Sequence, residues 1–244
     1  MNLSPVRIVV FITSLIVAAS LSAQEAAAPS TIGAWRIAGE PQRVMIVTPN
    51  YWTQTVFDRE QRQFVRTMGG TYSVSGDVAR GTLEFDSQEP QGVGQEFRVR
   101  TEIKGDALRV TQEDGSDEVW TRIDSAENAL AGVWRISGRH ADGKLQEMPL
   151  RARRTLKILS GTRFQWVAMN VETGEFSGTG GGTYTFENGK YTEHIEFFSR
   201  DATRVGAKLE FDGVVDGDAW EHRGSSSRGD PIHEIWVRFN PTAE

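Results

Sequence analysis

Apolar and polar residues along this chain alternate in short runs of period two, not in helical turns. Segments rich in Val, Ile, Thr, Tyr, Phe and Trp are broken by Gly, Asp, Asn and Ser, the pattern of strands joined by tight turns. In "YTEHIEFFS" (191–199) alternation places Tyr191, Glu193, Ile195 and Phe197 on one face, and Thr192, His194, Glu196 and Phe198 on the other. The stretches "KGD" (104–106), "ENGK" (187–190) and "DGD" (216–218) are turn signals. The C-terminal half predicts strands near 132–137, 154–160, 163–170, 181–187, 191–198, 206–214, 218–223 and 232–239. No segment keeps a helical period beyond two turns. The expectation is an all-β chain of antiparallel meanders. About eight strands in such an order close into an up-and-down barrel, which removes exposed sheet edges.

The pattern occurs twice. "GAWRIAG" (33–39) returns as "GVWRISG" (132–138), "GGTYSV" (69–74) as "GGTYTF" (181–186), and "GTLEFDS" (81–87) as "EHIEFFS" (193–199). "VGQEF" (93–97) matches "VGAKL" (205–209), "IKGDAL" (103–108) matches "VDGDAW" (215–220), and "EVWTR" (118–122) matches "EIWVR" (234–238). Order is kept and the added residues fall between matched segments, so the chain is a duplicated domain. The polar stretch 124–132 is the joint. The expected organisation is a leader over 1–23, a first barrel over 24–126 and a second over 127–244.

Each copy opens on Gly-x-Trp and closes on Trp-x-Arg. In a closed barrel the first and last strands are neighbours. Trp35 is then expected to lie under Arg122, and Trp134 under Arg238, with an indole plugging each barrel floor and a guanidinium across its face. This arrangement resembles the calycin superfamily, and within it the exported bacterial lipocalin-like domains. The resemblance implies two lipocalin-like barrels that bind small, largely apolar molecules, with enzymes a minority.

The N-terminus changes the setting. Arg7 is the lone charge of residues 1–23, Ile8–Leu21 is an uncharged apolar run, and small Ser22 and Ala23 precede Gln24. That order reads as a secretory signal peptide, and the apolar run is too short for a bilayer span of about 20 residues. The mature chain is expected to be periplasmic or secreted, with no stable membrane anchor. It has no cysteine, so its cores must hold it together without disulfides. Loss of Arg7 takes the formal charge from −6 to −7. An acidic chain repels a phosphate backbone, so no nucleic-acid partner is expected. The one basic cluster, Arg151, Arg153, Arg154 and Lys157, reads as a solvated loop or strand edge.

Candidate chemistry concentrates in the second copy. It holds all four histidines, His140, His194, His222 and His233, and the longer loops at 138–153 and 223–232. Trp220 stands where the first copy has Leu108, and His222 where it has Val110. The expected function is binding of a small apolar or aromatic molecule, mainly in the second barrel, lined by Trp166, Tyr184, Trp220, His222 and Trp236. The alternative is an enzyme on the same scaffold: an isomerase, cyclase, lyase or hydrolase. It would use His222 or His194 as acid–base, with Glu196 as orienter. A metal held by His194, Glu196 and His222, or a haem on His233, has no supporting spacing, so no metal or cofactor is expected. "GTGGGTY" (178–184) lacks the Lys-Ser/Thr of a P-loop and reads as a barrel corner.

Overall fold

The computed structural model describes residues 30–141, 143–226 and 229–241. The signal-peptide reading falls outside them. Two antiparallel barrels follow one another. The first comprises β1 (Gly33–Ile37), β2 (Gln42–Val47), β3 (Tyr51–Asp58), β4 (Gln63–Ser75), β5 (Val78–Asp86), β6 (Glu96–Lys104), β7 (Ala107–Thr111) and β8 (Asp117–Asp124), closed by pairing of β1 with β8. The second comprises β9 (Gly132–Ala141), β11 (Arg153–Leu159), β12 (Arg163–Asn170), β13 (Phe176–Glu187), β14 (Lys190–Phe198), β15 (Lys208–Asp216), β16 (Ala219–Ser225) and β17 (Pro231–Arg238), closed by β9 with β17. Between β9 and β11 the chain adds β10 (Lys144–Glu147), a hairpin partner of β9 outside the closed ring. Its four residues are all exposed, so no alternation of apolar residues announced it.

The repeat is structural as well as textual. Trp35 lies opposite Arg122 and Trp134 opposite Arg238. The guanidinium carbons stand 4.0 Å and 4.2 Å from the two indole centroids. Arg238 also donates to Ala131 O at 2.7 Å and Ala129 O at 2.9 Å, which ties the closing strand to the joint. Gly132 has φ +130°, and a Cβ there would stand 2.6 Å from the Arg238 guanidinium. The opening glycine therefore makes room for the arginine that closes the barrel.

Both copies carry a β-bulge at the same place, between Gly69 and Gly70 and between Gly181 and Gly182. It breaks the strict alternation expected for 191–199. Gly181 pairs with Phe197 and Gly182 with Ile195, leaving Glu196 as the extra residue. Ile195 joins the interior of the second barrel, whereas Phe197 turns outward against Phe57 and Phe64 of the first. Phe198 turns inward against Trp166.

The barrels pack on each other through equivalent outer faces. Ile46, Tyr51 and Phe85 share one apolar cluster with Val133, Leu156, Ile158, Val167, Met169 and Phe239. At the contact between the barrels the buried Gln165 amide uses every hydrogen-bonding position it has. Its oxygen accepts from Thr53 at 2.6 Å and Thr55 at 2.9 Å, and its nitrogen donates to Thr67 at 2.8 Å and Thr179 at 2.9 Å. Thr53 and Gln165 occupy the same position in the two copies, as do Thr67 and Thr179, so the interface has the self-complementary character of a two-fold dimer. The joint is clasped too. The Asp124 carboxylate accepts from the N–H groups of Ala34, Ala126, Gly161 and Thr162 and from the hydroxyls of Ser160 and Thr162. These donors outweigh burial and hold its pKa below the ordinary carboxylate value.

Candidate functional site

The two interiors share a backbone plan and differ in what fills them. Pairing fixes the correspondence: Met45 and Lys157 both lie opposite the opening tryptophan of their barrel, and Leu108 and Trp220 opposite the closing one. By the same register Ala79, Gly81, Val99 and Val110 of the first barrel answer to Tyr191, Glu193, Phe211 and His222 of the second. The second set is far bulkier. Trp134, Tyr184, Tyr191, Ile195, Phe211, Trp220 and Trp236 form one buried cluster there.

The smaller side chains leave a cavity of about 380 Å³ in the first barrel. Met45, Val47, Trp52, Met68, Tyr72, Leu83, Phe97, Leu108 and Trp120 provide its apolar wall. Trp52 meets Phe97 edge-on at 5.4 Å. Polar groups gather where β4 and β5 leave the barrel: Gln54, Arg66, Asp86 and Glu89. Arg66 binds Asp86 at 2.5 Å and Glu89 at 3.3 Å. Burial opposes ionisation of Asp86, but Arg66 and the Gln88 and Glu89 N–H groups outweigh it and hold the carboxyl below its ordinary range. On the opposite side of the rim Arg43 pairs with Glu118 at 2.6 Å.

Trp220 and His222, expected to line a ligand site, are buried in the interior of the second barrel. Tyr184, Trp220, His222 and Trp236 are buried among themselves, and only Trp166, half-buried near the rim, borders open space. The proposed acid–base residues lie on three separate surfaces. His194 is exposed on the outside of β14. Glu196 sits between the barrels, paired with Arg163 and 3.6 Å from Arg59. His222 is inside the second barrel. They share no cavity and cannot hold a common metal. His233 lies beside neither, stacked on His140 at 3.9 Å with Nε2 2.6 Å from Glu221. Among the described residues no group of three or more His, Cys, Asp or Glu is arranged to hold a metal ion.

Lys157 corrects a second expectation. The basic cluster is not a solvated edge as a whole. Arg154 is largely buried against Glu84 at 3.1 Å, and Lys157 points into the second barrel. Its ammonium lies 2.8 Å from Glu193 and 4.8–5.8 Å from the centroids of Tyr191, Phe211, Trp220 and Trp236. The pair satisfies two charges that could not be buried alone. Its field reaches His222. Burial first, and then the neighbouring Lys157 charge, push that imidazole down to about 4, so it is neutral at pH 7. Glu234 is the counterpart: burial raises it, but His222, Lys157 and Arg139 together hold it at about 2. Arg139 reaches it at 2.6 Å, and Trp236 donates its indole N–H at 3.2 Å. The sequence did carry a signal for Lys157, since alternation along β11 puts it on the face of Leu159, in register with Met45.

Residues 129–244 match the model of a family described as Domain of unknown function (DUF4488). The match begins within the joint and spans the second barrel. No curated protein matches the chain.

Proposed function

We propose that this protein binds a small, largely apolar molecule inside its first barrel. The observation that carries the reading is the cavity of about 380 Å³, which falls at the small end of the range for ligand pockets. Its aromatic and thioether wall suits an apolar body, and the Gln54–Arg66 rim supplies a few oriented polar groups. The filled second barrel then serves as a rigid companion, tied to the first by Gln165 and Asp124. The doubled Trp–Arg closure supports a lipocalin-like assignment within the calycins. The sequence of residues 1–23 supports export to the periplasm or beyond, and N-terminal sequencing of the mature chain, expected to begin near Gln24, tests that part.

The cavity test uses the second barrel as the template for filling the first. N-phenyl-1-naphthylamine, a neutral aromatic probe, is expected to gain fluorescence with the native protein. Ala79→Tyr and Leu108→Trp introduce the residues found at Tyr191 and Trp220. Each should abolish that gain while near-ultraviolet circular dichroism stays folded. Undiminished probe binding in a folded Ala79→Tyr/Leu108→Trp protein would remove the first barrel as the site.

A further inference from the structure

A second opening, of about 400 Å³, lies at the rim of the second barrel. β11 pairs with β9 only over Leu156–Leu159, and above that point the two strands are no longer joined. Residues 148–150 run beside the gap, held by the Met148 N–H on Ser137 O at 2.7 Å and by Arg135 on Met148 O at 3.2 Å. The opening leads inward to Trp166, Ile136 and Thr155.

Two features set it apart from the rest of the surface. The first is charge. Four arginines, Arg135, Arg153, Arg154 and Arg200, line it, and no carboxylate does. Among the described residues only Arg154 of the four pairs with a carboxylate, Glu84. Arg135 and Arg200 spend hydrogen bonds on backbone carbonyls, which orient them and leave their charge uncompensated. Three unpaired guanidinium groups converge here in a chain of formal charge −6. The second is that the differences between the copies meet at this place. Trp166 stands where the first copy has Gln54, Arg200 where it has Gln88, and Phe198 where it has Asp86. The 138–152 segment has only the short 38–41 connection as its counterpart. The mouth that is acidic and amide-lined in the first barrel has become cationic and aromatic in the second. Arg200 lies 5.8 Å from the Trp166 centroid, so charge and apolar surface are presented together.

We infer that this rim groove is a second binding site, for a free amphipathic anion: a carboxylate, sulfonate or phosphate ester on an apolar or aromatic body. The anionic group meets Arg153 and Arg200, and the body lies against Trp166, Ile136 and Met148. Guanidinium forks suit such oxyanions geometrically as well as electrostatically. The site is separate from the first-barrel cavity, where Arg66 is paired with Asp86 and Glu89.

The test compares two probes of like shape and different charge. 1-Anilinonaphthalene-8-sulfonate carries the anion, and N-phenyl-1-naphthylamine does not. Arg153→Gln/Arg200→Gln is expected to weaken the sulfonate probe at least tenfold and leave the neutral probe unchanged. In the native protein, raising salt from 0.05 to about 0.5 M should weaken only the sulfonate, because screening acts on the charged partner. The sulfonate should still bind when Ala79→Tyr/Leu108→Trp fills the first barrel, which separates this inference from the cavity reading. Sulfonate affinity unchanged by the two Arg substitutions, or lost on filling the first barrel, would overturn the assignment. Sedimentation with phosphatidylglycerol vesicles should leave the protein in the supernatant. Co-sedimentation that depends on Arg153 and Arg200 would instead overturn the assignment to a free molecule in favour of a lipid surface.

Discussion

The Lys157–Glu193 pair is buried in the second barrel, and a double-mutant cycle measures its contribution. Both side chains are nearly inaccessible, at 7% and 5% exposure, and 2.8 Å separates Nζ from Oε1. At an effective dielectric of about 20 that distance corresponds to a Coulomb attraction of roughly 6 kcal/mol, most of it offset by the desolvation of two ions. Lys157→Met leaves the Glu193 carboxylate among aromatic rings with no counter-charge. Glu193→Met leaves the ammonium with ring faces and the more distant Glu234 carboxylate. Each single change should cost about 3–5 kcal/mol, the usual penalty for orphaning a buried charge. The double change removes both charges and keeps near-native volume, so it should cost less than either single change. The first barrel already works without the pair, with Met45 and Gly81 in register. Urea unfolding of the full chain, followed by tryptophan fluorescence, supplies the four corners. A coupling energy below about 1 kcal/mol would show that the pair is replaceable by solvent or by neighbouring dipoles, and the reading of the second interior as a charge-locked core would fail.

Three further outcomes follow from the same structure. His222 is pushed down from 6.5 to about 4 by burial and Lys157, so its contribution is complete above pH 6.5 and is lost as pH falls towards 4. About 3 kcal/mol should disappear across that window, and His222→Val, the residue of the first copy, should flatten the stability–pH curve there; an unchanged slope would refute the assignment to His222. Glu234, held at about 2, should add a second loss only below pH 4.5. Trp134 is fully buried, donates to Leu130 O at 2.8 Å and lies under Arg238, so Trp134→Ala should cost about 3–5 kcal/mol, and Arg238→Lys less, in thermal or urea unfolding. Gln165→Leu deletes the four hydrogen bonds to Thr53, Thr55, Thr67 and Thr179 at the contact between the barrels. A loss of about 2–4 kcal/mol, with the two barrels unfolding at separate midpoints, is expected in differential scanning calorimetry.

The sequence by itself determined the architecture. Alternation, turn residues and six matched segments in constant order specify two meanders of eight strands, because period-two burial and tight turns are local properties of the chain. The Trp35–Arg122 and Trp134–Arg238 closures were legible for the same reason: a closed barrel makes first and last strands neighbours whatever else it does. Only the tertiary structure decided where open space lies. Ala79 and Tyr191, or Leu108 and Trp220, differ in volume, and whether added volume lines a void or fills it depends on the side chains facing it across the barrel. One inserted residue, Glu196 at the bulge, reversed the faces of Phe197 and Phe198. Lys157, one of four basic residues in a row of seven, became the charge at the centre of an aromatic core because its partners Glu193, Tyr191 and Trp220 lie 34 to 63 residues away along the chain. Composition along the chain can show that a lysine is present, but whether it stands in water or in a core is fixed by contacts that form only when the sheet closes.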